Sequence, residues 1–146
     1  FLHLLNDGDA ISCLDCVKKH MHNKTRFLID IFTPNPLFLY RPQGTRCNVL
    51  EYTDTALDEK IMVDESNQYD SDTEINELTW YFSSENKKDF AKEHFYMRMY
   101  FPSKMNQLLI DSGFEILHQW GDYYRSNLGE GSKLQIYDTC LAYNAK

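Results

Sequence analysis

The residues best suited to metal chemistry lie close to the start of the chain. Cys13 and Cys16 are three positions apart, and His20 follows them; thiolate and imidazole groups are usual zinc ligands. On a helix these three side chains share a face, but Leu14 and Val17 need burial beside them, and no second ligand pair follows at zinc-finger spacing. We therefore predict no metal site here, and no redox site either, because no strand precedes the pair.

A second group of chemically capable residues is acidic. Asp64 and Glu65 come first, and Asp70, Asp72 and Glu74 follow at alternate positions. Carboxylates at alternate positions are typical of calcium loops, but the glycine and the spaced terminal glutamate of such loops are missing. The segment YDSDT over residues 69–73 instead predicts a solvated hairpin turn.

Composition and charge restrict the partners that the chain can have. Its 146 residues, 42% of them hydrophobic and 14% aromatic, suffice for one globular domain with a core. The net charge of -7 disfavours nucleic acid and anionic membranes, which bind through excess lysine and arginine. No apolar stretch approaches the roughly 20 residues that cross a bilayer. Four cysteines are too few for a disulfide scaffold, so we expect free thiols and a cytoplasmic protein.

The first element of the chain is expected to begin outside it. Residues 1–5, FLHLL, form an apolar run with no preceding start signal, so we expect a fragment. A helix is predicted over residues 9–22, with acids at positions 7 and 9 favouring its start and Asn23 ending it in a left-handed conformation. Apolar residues recur there at spacings of three and four, at Ile11, Leu14, Val17 and Met21.

A strand is predicted directly after this helix. Residues 26–32 are nearly all apolar, the pattern of a strand that is buried on both faces in a parallel sheet. Helix and strand together predict half of a βαβ unit. Prolines end the strand, and residues 33–45 are predicted to form a loop with aromatic contacts from Phe38 and Tyr40.

The rest of the chain predicts an antiparallel meander followed by a helix and a hairpin. Residues 46–101 alternate in polarity, with turns at 69–73 and 85–89, and predict three or four strands. Within them, the irregular spacing of Ile75 and Leu78 predicts a bulge. Pro102 begins the helix and Gly113 ends it, and strands are predicted over 114–120 and 133–143. The buried face of that helix is predicted to contain Met105, Leu108 and Leu109.

This order of elements resembles the C-terminal half of class I S-adenosylmethionine (SAM)-dependent methyltransferases, which have a Rossmann-like sheet whose last strand is antiparallel. Three segments carry the resemblance: FLHL followed by Asn6 and Asp7, FLIDIFTPN over 27–35, and YFPS with LLIDSGFEI over 100–116. The third is the most specific, because it is similar to the family's passage from a helix through Gly-Phe into a strand. The resemblance implies an α/β single partial domain. Residues 1–45 and 102–146 would form its sheet-and-helix core, and residues 46–101 an antiparallel β-meander insert.

The family's cofactor fingerprint is missing. None of the six glycines forms the glycine-rich turn between a strand and a helix, and the acid that ends the family's second strand is absent. The family's Pro-Gly-Gly turn is replaced by residues 23–25, NKT. The resemblance therefore implies that about half of the catalytic domain lies outside this chain, with most of the SAM site, and that the chain alone is inactive.

Site residues follow from the resemblance. The segment after the family's fourth strand lines the cleft, which gives Phe1, His3 and Leu4 as cofactor contacts. No catalytic base is assigned, because methyl transfer from a sulfonium needs alignment and exclusion of water rather than an obligatory base. The insert would act as a lid over the acceptor pocket. The substrate-binding candidates are Tyr40, Arg41, Arg98 and Tyr100, with Tyr96 beside them.

Arg98 has two interpretations. It lies between two methionines on a predicted strand with one apolar face, so it should point away from that face. It either binds an anionic group of the acceptor or pairs with an acid of the insert.

We predict a fragment of a SAM-dependent methyltransferase that acts on a small molecule. The alternative is a non-catalytic module whose aromatic meander binds a ligand or a partner. Either way, a half-domain exposes apolar sheet edges and faces, so a homodimer through an exposed sheet surface is expected. The upstream sequence of the parent gene distinguishes the two functions.

Overall fold

The computed structural model describes residues 1–56 and 58–142. They form two compact units: a core unit, Phe1–Pro34 with the chain from Met99 onward, and a meander unit, Asn35–Arg98. The predicted α/β class is confirmed. In chain order the elements are α1 (Asp7–Lys19), β1 (Phe27–Phe32), α2 (Pro36–Leu39), β2 (Cys47–Asp54), β3 (Glu59–Asp70), β4 (Ile75–Ser84), β5 (Ala91–Arg98), α3 (Pro102–Asp111), β6 (Phe114–Trp120) and β7 (Leu134–Leu141).

Helix α1 is displaced from its predicted position. It begins at Asp7, because the Asn6 side chain accepts a hydrogen bond from the Asp9 amide at 2.9 Å and caps the first turn. It ends at Lys19 with His20 as a right-handed C-cap, so the left-handed stop at Asn23 is wrong. Its buried residues are Ala10 and Leu14, whereas Ile11 is exposed and Met21 lies beyond the helix. The small side chain at position 10 permits close packing, and this rotates the buried stripe away from Ile11.

The core unit contains a three-stranded antiparallel sheet in the order β1-β7-β6. The prediction that β1 is parallel and buried on both faces is wrong: β1 runs antiparallel to β7, and Leu28, Asp30 and Phe32 on one of its faces are exposed. The sequence is apolar on both sides of the strand, but β1 lies at the edge of this sheet, and its face with Leu28 is open although Ile136 and Asp138 of β7 on the same face are buried. On the opposite face α3 packs on β6, and Asn106 accepts a hydrogen bond from Gln119 at 2.9 Å.

The helix–strand–strand end of the core unit is confirmed. Pro102 occupies the first turn of α3, and Gly113 adopts φ +85°, a left-handed conformation that favours glycine. The helix buries the three predicted residues, and β6 and β7 pair as the predicted hairpin. Position 143 of the predicted last strand lies outside the described residues.

The meander unit is a four-stranded antiparallel sheet in the order β2-β3-β4-β5, as predicted. The predicted bulge in β4 is wrong, because β4 pairs without a register shift along its whole length; Asn76 takes the buried position instead of Ile75. Bulges lie instead in β2 and in β6. Helix α2 lies within the predicted loop 33–45, where the Asn35 side chain caps the Leu37 amide at 3.0 Å.

A buried amide connects three elements of the core unit. Gln135, which is wholly buried, donates from Nε2 to the carbonyl of Tyr100 at 2.6 Å and to the carbonyl of Phe32 at 3.2 Å. Its Oε1 accepts from the Tyr137 hydroxyl at 2.7 Å. Burial raises the pKa of Tyr137, which keeps that hydroxyl protonated as a donor. The amide therefore joins the end of β1 to the segment that enters α3.

We expect Gln135→Leu to lower the free energy of unfolding by about 3 kcal/mol. The buried Tyr100 carbonyl and the Phe32 carbonyl would lose this donor, and the Tyr137 hydroxyl would keep only its longer contact with the Pro102 carbonyl, at 3.5 Å. Urea denaturation of the chain measures the change. The control is Gln43→Leu, whose exposed amide contacts Gln68, with an expected change within about 0.5 kcal/mol. Equal effects of the two substitutions would contradict the prediction.

Candidate functional site

The structure brings three of the predicted site residues together in the core unit. The Phe1 and Tyr100 rings lie 5.3 Å apart, and the Tyr100 hydroxyl donates to the Leu4 carbonyl at 3.1 Å. The Leu4 amide donates to the Phe1 carbonyl at 2.9 Å, which closes a turn over residues 1–4. Leu2 is buried and His3 is exposed, so the turn presents the imidazole at the surface.

Tyr100 is wholly buried and holds this turn in place. Its backbone carbonyl is held by Gln135, and its hydroxyl holds Leu4. The two hydrogen bonds fix residues 1–4 relative to the entry of α3. Contact of Tyr100 with an acceptor stays a prediction.

Arg41, in the meander unit, belongs to a buried polar cluster with Glu65 and Trp80. The Arg41 guanidinium donates to the Glu65 carbonyl at 3.2 Å, lies 3.6 Å from its carboxylate, and stacks over the Phe38 ring at 4.4 Å. Trp80 Nε1 donates to Glu65 Oε2 at 2.7 Å. Only 9% of the Arg41 side chain and 10% of the Glu65 side chain are exposed, so solvent screens this ion pair weakly.

Several polar atoms beside this cluster lack hydrogen-bond partners within the described part of the chain. Arg41 Nε, Asn67 Oδ1 and Asn76 Nδ2 are all buried. Asn67 does donate to the Leu39 carbonyl at 3.1 Å and to Asn76 Oδ1 at 3.0 Å, which holds both amides in place. Buried polar atoms are rarely left unsatisfied, so these two donors and one acceptor are suited to a polar ligand or to water.

The other predicted substrate residues lie near the β3–β4 turn of the meander unit. Arg98 is buried and donates to Glu74 Oε2 at 3.0 Å, so the predicted pairing with an acid of the insert is observed. Tyr40 packs edge-on against Tyr69 at 5.4 Å and is largely exposed, as is Tyr96. The contacts predicted for Phe38 and Tyr40 are thus confirmed. Substrate binding by Tyr40, Arg41 and Arg98 stays a prediction.

The cysteine motif forms no metal centre within residues 1–56 and 58–142, where no cluster of three or more His, Cys, Asp or Glu side chains is placed to hold an ion. Cys16 is exposed, Cys13 is half-buried, and all four cysteines are free thiols. The longest of the described helices has 13 residues, and none is long and apolar enough to cross a bilayer.

Sequence reasoning missed the partners of Arg41. Glu65 and Trp80 lie opposite each other in the β3–β4 register, and Asn67 and Asn76 flank them on the same face. In the sequence Glu65 belongs to an acidic run, and Asn67 and Asn76 are residue types expected on the exposed face of a strand. Only the pairing register of the two strands brings these side chains together, and local periodicity does not specify it.

We expect Arg41→Met to lower the free energy of unfolding by about 3 kcal/mol, because it leaves the Glu65 carboxylate buried without a counter-ion. The double variant Arg41→Met/Glu65→Met should be more stable than Arg41→Met alone. The exposed Arg125→Met is the control, with an expected change within about 0.5 kcal/mol. Urea titrations of the four proteins measure this. A double variant that is no more stable than Arg41→Met would contradict the prediction.

The fold is similar to those of methyltransferases of known structure. The CcbJ methyltransferase from Streptomyces caelestis matches 97% of this chain with a TM-score of 0.78 and 16% identity, and the match covers 56% of CcbJ. A SAM-dependent methyltransferase from Clostridium acetobutylicum matches 97% with a TM-score of 0.69 and 16% identity, over 54% of that protein. SAM-bound CalS10, an amino pentose methyltransferase from Micromonospora echinaspora, matches 94% with a TM-score of 0.54 and 10% identity, over 55% of that protein.

These matches show that the chain has a class I methyltransferase-like fold, which confirms the resemblance found in the sequence. The chain spans about half the length of the solved structures that it matches. By sequence, no family model and no curated protein matches it.

Proposed function

We propose that this chain is the C-terminal part of a SAM-dependent methyltransferase that acts on a small molecule. The observation that carries the proposal is the match of nearly the whole chain to about half of such enzymes. CalS10 was solved with SAM bound and acts on an amino pentose, which supports SAM as the cofactor and a small polar acceptor. The Rossmann-like sheet would be completed by polypeptide outside these residues.

The turn over residues 1–4 is proposed to contact the cofactor. SAM supplies an activated methyl group when bound; the protein orients the cofactor and excludes water. The hydrogen bonds from Tyr100 and from the Leu4 amide fix the turn. Phe1 and Leu4 would then supply apolar contacts, and the exposed His3 a polar one. A preorganised turn loses less conformational entropy when the ligand binds.

The buried polar cluster of the meander unit is proposed to bind the acceptor. Arg41 Nε and Asn76 Nδ2 are donors and Asn67 Oδ1 is an acceptor, all without partners within the described residues. Such a set suits a substrate that carries hydroxyl or amide groups. Tyr40, Arg98 and Tyr100 are proposed as further acceptor contacts, and the lid role of residues 46–101 belongs to the same proposal.

Calorimetry with SAM tests the cofactor assignment. The chain alone should show no saturable binding, with a Kd above about 1 mM, because most of the cofactor site lies elsewhere. In the longer polypeptide encoded by its reading frame, His3→Ala should weaken SAM binding about tenfold, roughly 1.4 kcal/mol. His20→Ala, at an exposed helix cap, is the matched control and should change nothing. Micromolar binding by the chain alone would refute the proposal.

A second candidate is a non-catalytic module. The meander unit is compact by itself, and it carries a cluster in which the Trp80 ring lies 5.2 Å from Phe95 and 6.4 Å from Phe82. An aromatic sheet face of this kind suits ligand binding without catalysis. A parent gene that lacks a strand followed by a glycine-rich turn would favour this candidate over the enzyme.

We also propose a homodimer formed through strand β2. This strand lies at the edge of its sheet, is exposed along its length, and presents Val49, Leu50 and Tyr52 to solvent. Exposed apolar edges of this kind pair readily with a second copy.

We also propose a cytoplasmic location. All four cysteines are free thiols, and no helix among the described residues is long and apolar enough to cross a bilayer.

Sedimentation velocity should show the chain dimerising at micromolar concentration. Val49→Lys, at the bulge of β2, should return it to monomer, because a charge on the edge opposes pairing. Leu37→Lys in the exposed part of α2 is the control and should leave the dimer intact. A chain that stays monomeric at about 100 µM would contradict the proposal.

A further inference from the structure

The two faces of the meander sheet carry different kinds of side chain. Val63 and Glu65 of β3 are buried on one face, where Glu65 belongs to the buried polar cluster of Arg41. The other face, which we call the polar face, carries Ser66 of β3 directly opposite Thr79 of β4. Because side chains alternate between the two faces along a strand, the polar face is separate from the cluster that we propose as the acceptor site.

The polar face contains a cavity of about 180 Å³. The two central strands and the loop before β2 supply its polar side chains, which include Ser66, Gln68, Glu77, Thr79 and Gln43. Gln43 Nε2 donates to Gln68 Oε1 at 3.0 Å, which holds the loop against the sheet at this point. Among the described residues that line the cavity, none is a cation and none is a hydrophobic residue. A ligand would therefore be held here by hydrogen bonds and charge.

The two hydroxyl groups of the cavity are already held by neighbouring side chains. The Ser66 hydroxyl donates to the Tyr81 hydroxyl at 3.3 Å, and the Tyr81 ring is covered by the Arg46 guanidinium, 3.4 Å from the ring centre. Thr79 Oγ1 lies 3.0 Å from His94 Nδ1. Each hydroxyl oxygen has a second lone pair that can accept a further hydrogen bond. The cavity therefore presents two acceptors whose positions are fixed before a ligand binds.

Glu77 supplies the charge of the cavity. Its side chain is half-buried, and no hydrogen bond or ion pair reaches its carboxylate from the described part of the chain. Tyr96 lies directly opposite Glu77 in the β4–β5 register and is 46% exposed. A carboxylate forms strong, charge-assisted hydrogen bonds with an ammonium group, and the face of an aromatic ring attracts the same cation. This combination favours a cationic ligand.

We propose that the cavity of the polar face binds a primary alkylammonium ion. The three N–H donors of the ion would be shared among the Glu77 carboxylate and the hydroxyls of Ser66 and Thr79. The Tyr96 ring would lie against the ammonium group and the methylene next to it. An anion would be repelled by Glu77, and a neutral ligand would leave that carboxylate without a counter-ion. The net charge of -7 also favours the approach of a cation. This site does not depend on the proposed function.

An NMR titration of the chain at neutral pH and constant ionic strength tests the site. The probe is n-butylammonium, and 1-butanol is the neutral probe with the same carbon chain. With n-butylammonium, the backbone amide signals of Ser66, Glu77 and Thr79 should shift and saturate with a Kd of about 1 mM. With 1-butanol they should show no saturable shift, because the charge that the carboxylate requires is missing.

Matched variants assign the binding to named side chains. Glu77→Gln should weaken binding of n-butylammonium about tenfold or more, because it removes the charge and keeps the size of the side chain. Tyr96→Leu should weaken it about threefold through loss of the aromatic face. Glu93→Gln is the control: it removes an exposed carboxylate on the opposite face of the same sheet, across from Trp80, and should leave the Kd unchanged.

Three outcomes would overturn the inference. The first is the absence of a saturable shift up to about 50 mM n-butylammonium. The second is equal binding of n-butylammonium and 1-butanol, and this comparison uses the parent chain alone, so it holds even where a variant fails to fold. The third is an equal loss of binding in Glu77→Gln and Glu93→Gln, which would show that only the overall charge of the chain attracts the cation.

Discussion

The buried amide of Gln135 constrains the core unit at three points. A carboxamide has two donor hydrogens, and both are used here on backbone carbonyls from distant parts of the chain, at Phe32 and Tyr100. Its oxygen accepts from Tyr137, two residues along the same strand. Because Gln135, Tyr100 and Tyr137 are wholly buried, their hydrogen bonds must form together or buried polar atoms remain unpaired. The end of β1 and the start of α3 are thereby set in one arrangement.

The consequences of that constraint reach the candidate cofactor contact. With its carbonyl held by Gln135, Tyr100 has a fixed backbone, and its hydroxyl then fixes the Leu4 carbonyl. The turn over residues 1–4 is thus closed by its own hydrogen bond between Leu4 and Phe1, and two further hydrogen bonds hold it in position. In the meander unit, the buried ion pair of Arg41 and Glu65 has a comparable role. Such a pair adds little net stability, but removal of one partner leaves the other charge buried and unpaired. Buried polar groups therefore specify geometry in both units.

Local sequence signals predicted the positions of the helices and strands better than they predicted which of their residues are buried. The passage from Pro102 through Gly113 to Phe114 was readable because its determinants act within a few residues: proline at the first turn, an apolar stripe, and a glycine at φ +85°. The alternation of the meander likewise specified its strands. By contrast, the buried side of β4 depends on which residues its neighbours present, and Asn76 rather than Ile75 points inward because it pairs with Asn67. The Arg41 cluster escaped prediction for the same reason, since it is assembled by strand register and not by sequence proximity.

Strand β1 was predicted to be buried on both faces, but one of its faces is exposed. Its sequence, FLIDIF, is apolar on both faces, and apolar residues on a strand face are retained where that face is covered. The structure leaves Leu28 and Phe32 exposed while it buries Ile31 on the other side. Within the described sheet β1 is an edge strand, and its neighbours on the same face in β7, Ile136 and Asp138, are buried, so the open side is confined to β1. An apolar pattern therefore predicts that a segment forms a strand, whereas the position of that strand in the sheet, central or at the edge, decides which of its side chains are covered.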